Sequence, residues 1–360
     1  MAEPATKASA VPQHVHLVGS IGLDSVPEVF RTVGKVLGAR VKRVPDGEVG
    51  GRRLWISWQY PLLRANGFLQ VDPQGAARPS TGFRLFRLAD GVKGEEIRFG
   101  ELGYAREARA SYLDFLAARK RKELPARARF QVCLPTPVAV ISAYVVADDF
   151  PAVERAYEQA MLAEVKAICR HIPHRDLCLQ WDVCNEMILW DGQAQTMVPG
   201  HGMTRDDLVA RLKRICAAVP KDVELGIHLC YGDFDARHFV EPRDAAAMVG
   251  FANAITKAVT HKLAYVHMPV PIARDDDAFF RPFRELKLRK GTELYLGVVH
   301  GDGAEATRRR IAAAQAHVGE FGIATECGMA RARTPDVVMN LLKVHAAASR
   351  PAPQARRKRG

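Results

Sequence analysis

Short apolar runs rich in β-branched residues alternate along this chain with longer amphipathic segments. Runs of roughly four to eight such residues bounded by turn residues are typical of buried strands. The eight runs that we predict as strands are VHLVGSIG from Val15, VKRVPDG from Val41, RFQVCLPTPV from Arg129, LCLQWDV from Leu177, ELGIHLCY from Glu224, LAYVHMPV from Leu263, ELYLGVVH from Glu293 and FGIATECG from Phe321.

The segments between these runs carry apolar residues at helical spacing. The clearest are FPAVERAYEQAMLAEVKAICRHI from Phe150, TRDDLVARLKRICAAV from Thr204, DAAAMVGFANAITKAVTHK from Asp244 and GAEATRRRIAAAQAHVGEF from Gly303. Thr204 followed by Asp207, and Ser25 followed by Glu28, predict N-caps with an acidic residue in the first helical turn. Strands that alternate with helices in this way are typical of βα units on a parallel sheet.

Eight βα units predict a single (β/α)8 barrel over residues 14–349. The alternative is a doubly wound open sheet, but the first predicted strand is not followed by GxGxxG, and GSIG from Gly19 is too short for that fingerprint. Residues 67–104 interrupt the rhythm with alternating runs at 83–88 and 96–102. We therefore predict an insertion that contains a β-hairpin after the second βα unit.

The 360-residue chain has a formal net charge of +12, a property it shares with many nucleic-acid-binding proteins. Residues 350–360 hold five basic and no acidic side chains, and residues 117–129 hold six basic and one acidic. Most of the excess charge therefore lies in two short segments away from every predicted strand end. We interpret them as a solvated tail and a helix face, and keep a basic nucleic-acid-binding protein as the non-enzyme alternative.

The ends of the chain and its cysteines bear on location. We expect residues 1–13 and 350–360 to be disordered. No apolar run approaches the roughly 20 residues of a membrane helix, and the N-terminal sequence lacks the apolar core of a secretion signal. Seven cysteines without a regular short spacing fit a reducing compartment. We predict a cytoplasmic protein that acts on small molecules, with no membrane partner.

Polar side chains collect where the predicted strands end. In a (β/α)8 barrel the carboxyl ends of the strands form the active site, so these side chains are expected to face one another. They are Ser20, Asp46, Glu48, Asp182, Asn185, Glu186, His228, Cys230, His267, His300, Asp302, Glu326 and Cys327. The pattern predicts an enzyme.

Two cysteines and one histidine of this set suit a metal ion. His228 and Cys230 are two apart on a strand and so project to the same face, while Cys327 follows the eighth strand in the turn ECGM. Two thiolates and an imidazole are ligands that zinc prefers, and an open fourth position makes such a site catalytic. The alternative is that all three are unligated core residues. Four of the remaining cysteines, Cys133, Cys169, Cys178 and Cys216, lie in apolar contexts typical of packing, and Cys184 is left open.

These motifs also carry a family resemblance. HLCYGDF from His228 resembles the zinc motif of the cobalamin-independent methionine synthases, and ECGMARAR from Glu326 resembles the segment that brings their distal zinc cysteine. VGSIG from Val18, PTPVAVI from Pro135 and LQWDV from Leu179 are similar to other strands of that family's catalytic barrel. Uroporphyrinogen decarboxylases and alkyl-thiol transferases belong to the same superfamily.

The resemblance implies zinc on His228, Cys230 and Cys327, and a pocket for an amino acid or carboxylate lined by Ser20, Glu48 and Asp182. The family takes a further zinc ligand, a glutamate, from the sixth strand. This chain reads YVHMPVP there, which makes His267 the nearest candidate for a fourth ligand unless water or substrate fills the position. The family's Glu-Pro after the strand-four aspartate is replaced here by Val183 and Cys184.

The function that this resemblance implies is zinc-dependent transfer of a methyl or alkyl group to a thiol, as in methionine synthesis from homocysteine and methyltetrahydrofolate. A leaving nitrogen needs a proton, and His300 and Asp302 in VVHGDG are our candidates for the general acid, with helix capping as the alternative. Trp55, Trp58 and Trp190 are candidates to stack a planar donor, unless they only pack in the core. The enzyme alternatives are a coenzyme M type transferase and a metal-free decarboxylase that binds a polycarboxylate through arginines.

Overall fold

The computed structural model describes residues 11–12, 14–75, 77, 82–193, 201–233 and 235–350. The two predicted disordered termini lie outside these residues except at positions 11, 12 and 350. At that junction the Arg350 amide donates to the Pro12 carbonyl (2.9 Å).

Seven parallel strands form the main sheet, and two antiparallel strands form a separate hairpin. In chain order the strands are β1 (Arg43–Pro45), β2 (Leu69–Val71), β3 (Phe86–Leu88), β4 (Arg129–Pro135), β5 (Leu177–Val183), β6 (Glu224–Leu229), β7 (Leu263–Pro269), β8 (Glu293–Val299) and β9 (Gly322–Thr325). The main sheet has the order β1-β4-β5-β6-β7-β8-β9. Apart from the separate β2–β3 hairpin, strands that follow one another in the chain are thus neighbours in the sheet, as in a barrel wound in one direction.

The first predicted strand closes this sheet without forming a regular strand itself. Val15 makes parallel bridges to Val41 on one side and to Ile323 on the other, and Ile21 bridges to Met329. The His16 amide donates to Ile323 O, while the Ile21 amide donates to Gly47 O (2.9 and 2.8 Å). The extended segment 14–22 therefore occupies the eighth position between β1 and β9, which confirms the (β/α)8 barrel.

Helices cover the outside of the barrel. They are α1 (Val26–Val36), α2 (Tyr60–Ala65), α3 (Tyr104–Lys120), α4 (Pro137–Tyr144), α5 (Phe150–His171), α6 (Asn185–Trp190), α7 (Arg205–Ala217), α8 (Ala246–Ala258), α9 (Asp277–Phe280), α10 (Ala304–Gln315) and α11 (Pro335–Ala348). Both predicted N-caps are present: Ser25 accepts from the Glu28 amide, and Thr204 forms a capping box with Asp207. In the described part of the chain, each helix is too short or too polar to cross a membrane.

Two predicted boundaries need correction. The third predicted strand ends at Pro135, because Thr136 caps α4 by accepting from the Ala139 amide (3.1 Å) and Pro137 suits the first helical turn. The insertion does contain an antiparallel hairpin, but it pairs β2 with β3. Residues 96–102 form no strand. The amides of Leu102 and of the next residue, Gly103, donate instead to the buried Glu164 carboxylate.

A network of ion pairs fills the amino-terminal end of the barrel, and we call it the ion-pair floor (Lys42, Arg43, Arg129, Glu224 and Glu293). Arg43 is buried and donates to Glu224 (2.7 Å) and to Glu293 (2.9 Å). Arg129 also pairs with Glu224 (2.9 Å), and Lys42 pairs with Glu293. Each floor carboxylate thus meets two cations, so the opposite end of the barrel is where a ligand has room.

Candidate metal centre and substrate cavity

His228, Cys230 and Cys327 meet at the carboxyl end of the barrel, and we call them the sulfur–imidazole cluster. Their ligand atoms all lie within 4.8 Å of one another. Cys230 Sγ is 3.6 Å from Cys327 Sγ, and Cys327 Sγ is 3.8 Å from His228 Nε2. Ligand atoms are roughly 3.5–3.8 Å apart in a tetrahedral zinc site whose bonds are about 2.0–2.3 Å long, so these two separations fit this ion.

The tautomer of His228 follows from what lies behind it. His267 Nε2 is 3.1 Å from the Thr325 carbonyl oxygen, which only accepts, so this nitrogen carries the proton. Burial lowers the pKa of His267 to about 3, which keeps the ring neutral and leaves Nδ1 as an acceptor. His228 Nδ1 lies 2.7 Å from that nitrogen and must donate to it. The Nε2 lone pair of His228 is consequently free of a proton on the side that faces the two sulfurs.

This geometry gives His267 a place different from the one we predicted. It lies outside the sulfur–imidazole cluster, since both of its ring nitrogens are engaged by Thr325 and His228. A histidine or carboxylate that fixes the orientation of a metal-binding imidazole is common around metal sites. The fourth position of the cluster is therefore not supplied by His267 in this arrangement.

Hydrogen-bond donors approach both sulfurs from the side. The Gly232 amide donates to Cys230 Sγ (3.2 Å), and Arg331 Nη2 donates to Cys327 Sγ (3.2 Å). Contact with the Cys184 thiol, together with burial, raises the pKa of Cys230, and contact with Cys230 does the same for Cys327. A bound cation removes such protons, because thiolates are the ligating form.

Two carboxyl groups, the half-buried Glu48 and the buried Asp182, line the same cavity, and we call them the carboxyl pair. Burial is the main cause that raises the pKa of each, and for Glu48 the neighbouring Asp182 adds to it. Gln180 donates to Asp182 Oδ1 (2.8 Å), and Trp55 also hydrogen-bonds this carboxyl, but both effects are smaller than burial. The pair therefore retains a proton close to neutral pH and is poised to receive a cationic group.

The turn after β1 holds Glu48 in place. Glu48 has a left-handed backbone (φ 49°), and its amide donates to Asp46 Oδ1 (2.9 Å). Arg52 and Ser111 both donate to Asp46 Oδ2 (2.7 Å each). Asp46 is thus occupied in fixing this turn. On the other side, a Cβ at Gly19 would come within 2.9 Å of Glu48 Oε1 and 3.2 Å of Cys133 Sγ, so a side chain there would press against both groups.

Ser20 lies in the cavity as well, buried against the turn that carries Cys327. The Met329 amide donates to the Ser20 carbonyl (2.6 Å), and Ser20 Oγ lies only 2.1 Å from where a Cβ on Gly328 would stand. Ser20, Glu48 and Asp182 are accordingly brought together with the sulfur–imidazole cluster in one cavity of about 320 Å³.

One wall of the cavity is apolar. It is formed by Leu54, Trp55, Ile56, Phe83, Tyr144 and Phe239. Of the three tryptophans considered, Trp55 is in this wall, where its backbone adopts the left-handed region (φ 57°). Trp58 instead packs edge-on against Tyr104, and Trp190 stacks on Phe251 with ring centroids 4.6 Å apart. Within the described residues, Trp55 is the tryptophan that reaches the cavity.

His300 and Asp302 do not join the described residues that line the cavity. Tyr295 of β8 faces the barrel interior beside His16, but the register of β8 shifts between Leu296 and Val299, and His300 follows the end of this strand. His300 Nε2 donates to the Val270 carbonyl (2.8 Å), and Arg310 holds both oxygens of Asp302. The geometry gives no support to the predicted general acid.

The other cysteines divide by position. Cys169, Cys178 and Cys216 are buried away from the cavity, and Cys133 donates to the Val18 carbonyl (3.2 Å). Cys184, which the sequence left open, lines the cavity next to Cys230. Cys184 follows β5 two residues after Asp182 and four after Gln180, the spacing that places side chains on the same, inward face.

Two site residues were not singled out from the sequence. Arg331 reaches the cavity and donates to Asp233 O (2.8 Å) and Asp233 Oδ2 (3.2 Å) as well as to Cys327. Asp233 is buried and also accepts from Arg333 (3.0 Å). Both lie inside quoted motifs, HLCYGDF and ECGMARAR, but the sequence does not tell which of the trailing arginines turns toward the sulfur.

No protein-family model and no curated protein matches this sequence. Among solved structures, the chain is similar to a B12-independent methionine synthase from Shewanella sp. W3-18-1 in complex with selenomethionine, with a TM-score of 0.60 and 13% identity over 94% of this chain and 97% of that one. It is also similar to a protein of Listeria monocytogenes assigned as a vitamin-B12-independent methionine synthase, with a TM-score of 0.52 and 14% identity over the same shares of the two chains. At such identities these similarities establish the fold.

Proposed function

We propose that this protein is a zinc-dependent enzyme that transfers a methyl or alkyl group to a small-molecule thiol. The observation that carries the proposal is the sulfur–imidazole cluster, whose spacing and tautomer suit zinc and which opens into a cavity. When bound, zinc lowers the pKa of a substrate thiol, so that a thiolate nucleophile is present at neutral pH. His228, Cys230 and Cys327 are its proposed ligands, with the fourth position left to the substrate sulfur.

The carboxyl pair supports an amino thiol as the acceptor. Two carboxyls that retain a proton gain a favourable partner when an ammonium group enters, because the ion pair replaces an uncompensated buried charge. Ser20 lies beside them and offers a hydroxyl to the same ligand. Homocysteine has the required ammonium group, whereas coenzyme M has a sulfonate that these carboxylates repel. The Shewanella neighbour, solved with selenomethionine, is consistent with an amino acid here.

The apolar wall supports a methyl donor with a flat ring system, such as methyltetrahydrofolate. Trp55 presents a large aromatic surface at the cavity and is held there through its hydrogen bond to Asp182. In the proposed reaction the thiolate sulfur attacks the methyl carbon. The S–C bond forms as the C–N bond of the donor breaks, and the leaving nitrogen takes the electron pair and then a proton.

The decarboxylase alternative fits the cavity less well. A polycarboxylate ligand calls for several cations, yet the described lining contains one arginine, Arg331, beside the acidic Glu48, Asp182 and Asp233. The nucleic-acid alternative rests on residues 117–129 and 350–360. In the first segment Arg119 pairs with Asp176, and Arg129 pairs with Glu224, while 351–360 lie outside the described residues.

The test is a methyl-transfer assay on zinc-reconstituted protein with homocysteine, coenzyme M and glutathione as acceptors and methyltetrahydrofolate as donor. We expect a methyl thioether from homocysteine, detected by mass spectrometry, and zinc at one equivalent. Cys327→Ala should lose both. Cys216→Ala, which removes a buried thiol from α7, is the control and should keep both. Zinc-free wild-type protein, or full zinc retention in Cys327→Ala, would remove the basis of the proposal.

A further inference from the structure

A cysteine thiolate that holds a metal is itself a nucleophile, so an enzyme that methylates thiols risks methylating its own ligands. The sulfurs of Cys230 and Cys327 lie in the same cavity as the proposed acceptor. In the unwanted reaction a cysteine sulfur would attack the methyl carbon, with the S–C bond forming as the bond to the leaving group breaks. The product, a thioether, is a poor ligand, and the centre would be lost.

Each of the two cysteine sulfurs has a hydrogen-bond donor. The Gly232 amide donates to Cys230, and the Arg331 guanidinium donates to Cys327 (3.2 Å in both cases). A donor at this distance draws on the sulfur lone pair, and charge-assisted contacts of this kind are the stronger ones. Nucleophilicity of a thiolate falls as its electron pair is stabilised in this way.

Arg331 is held in position by Asp233, which lines the same cavity. Its Nε donates to the Asp233 carbonyl (2.8 Å) and its Nη2 to Asp233 Oδ2 (3.2 Å). Arg333 donates to the same carboxylate oxygen (3.0 Å), and its other contacts in the described part of the chain are with the Arg331 carbonyl and Glu326. Asp233 is buried, so its charge is tied to these two guanidinium groups.

We infer that Arg331 is a positioning residue that lowers the nucleophilicity of the Cys327 sulfur and thereby directs alkylation to the substrate thiol. This inference rests on the proposed function, because it needs a cysteine-held metal and an alkyl donor. Arg331 thus favours alkylation of the substrate thiolate over that of the Cys327 thiolate in the same cavity. The Gly232 amide has the corresponding position at Cys230.

The test exposes zinc-loaded protein, without substrate thiol, to iodomethane, in which the methyl carbon accepts the sulfur and iodide leaves. Peptide mass spectrometry follows methylation of Cys327 and Cys230 separately. In Arg331→Met we expect Cys327 to be methylated about 10-fold faster than in the wild type, with zinc released in step. Cys230 keeps its backbone donor in this variant and serves as the internal reference: its rate, measured before zinc is released, should be unchanged.

Arg333→Met is the matched control, because it removes the other partner of Asp233 and leaves the contact with sulfur. It should methylate Cys327 at the wild-type rate. Arg331→Lys covers the case in which the methionine variant does not fold: an ammonium group has no second arm to hold Asp233 and the sulfur together, so Cys327 should again react faster, by about threefold or more.

The two proposals fail in different ways. If the wild type binds no zinc, the proposed function is wrong. If zinc is bound normally and either Arg331 variant methylates Cys327 no faster than the wild type, the role of Arg331 is wrong while the proposed function stands. An equal rise in Arg333→Met would likewise overturn it, since that result would trace the effect to Asp233.

Discussion

Both ends of the barrel enclose charged side chains. At the carboxyl end, which we call the mouth, Asp46 and Asp233 pair with arginines, whereas Glu48 and Asp182 form no ion pair among the described residues. At the ion-pair floor, Arg43 lies between Glu224 and Glu293, and Arg43 and Lys42 outweigh burial and hold the pKa of Glu293 below its ordinary value. At the mouth, burial raises the pKa of Glu48 and Asp182. The ionised form of a glutamate is thus stabilised at the floor, in Glu293, and destabilised at the mouth, in Glu48.

The difference separates stability from function in one fold. A buried charge that is matched by its neighbours contributes to folding, whereas one that is left without a counterion stores free energy that a ligand can release. The mouth also gathers two sulfurs and an imidazole lone pair that face one another. We therefore expect changes at the floor to alter stability alone and changes at the mouth to alter ligand binding first.

The largest effect should come from breaking the floor. Arg43→Met leaves Glu224 and Glu293 short of their shared partner and should lower the free energy of unfolding by about 3 kcal/mol, measured by urea denaturation at pH 7. Lys42→Met, at a side chain that is 39% exposed, should cost less than about 1 kcal/mol. Because the pKa of Glu293 is lowered in the fold, its contribution is present above the ordinary value of 4.5 and is lost on acidification. The deficit of Arg43→Met should thus shrink below pH 4.5; a deficit that stays constant would contradict this account.

The next effect concerns the histidine behind the metal centre. His267→Leu removes the acceptor of the His228 Nδ1 proton and should weaken zinc binding about 10- to 100-fold, measured by competition with a chromogenic chelator. His267→Asn places an oxygen acceptor at a similar distance along the side chain and should retain most of the affinity. If leucine and asparagine behave alike, His267 does not act through a hydrogen bond to His228.

The smallest effect is expected at Glu48, whose pKa is shifted in the opposite direction to that of Glu293 at the floor. Because the pKa of Glu48 is raised in the fold, wild-type stability falls as pH rises from the ordinary value of 4.5 toward the raised one. Glu48→Gln is uncharged throughout, so it should be more stable than the wild type by about 1 kcal/mol at pH 8 and equal to it near pH 4. The exposed Glu95→Gln should show no such trend. A variant that loses stability at pH 8 would mean that Glu48 is already paired.

Much of this arrangement could be predicted from local sequence. The run LCLQWDV is β5 without change, and the i, i+2 spacing of His228 and Cys230 correctly placed both on the inner face. Active sites of barrels form at the carboxyl ends of the strands. This rule predicts that Cys327 lies close to Cys230, although the two are 97 residues apart in the sequence. These successes depend on periodicity, which one strand determines by itself.

The surroundings of the other candidate residues depend on long-range partners. His300 ends a predicted strand, but among the described residues it is not part of the cavity lining, and its ring donates to the Val270 carbonyl beyond β7. Asp302 bonds to Arg310 on the following helix, and His267 is engaged by Thr325 of a different strand. A single sequence does not indicate which polar group another element will present.

The central claim is that the mouth of this barrel holds zinc through two sulfurs and one nitrogen and receives a substrate thiol. Zinc K-edge X-ray absorption of the reconstituted protein, with and without homocysteine, tests it most directly. We expect two sulfur neighbours and one imidazole in the absence of thiol, and a third sulfur when homocysteine is added. A shell of oxygen and nitrogen alone, or a sulfur count that homocysteine does not change, would contradict the account.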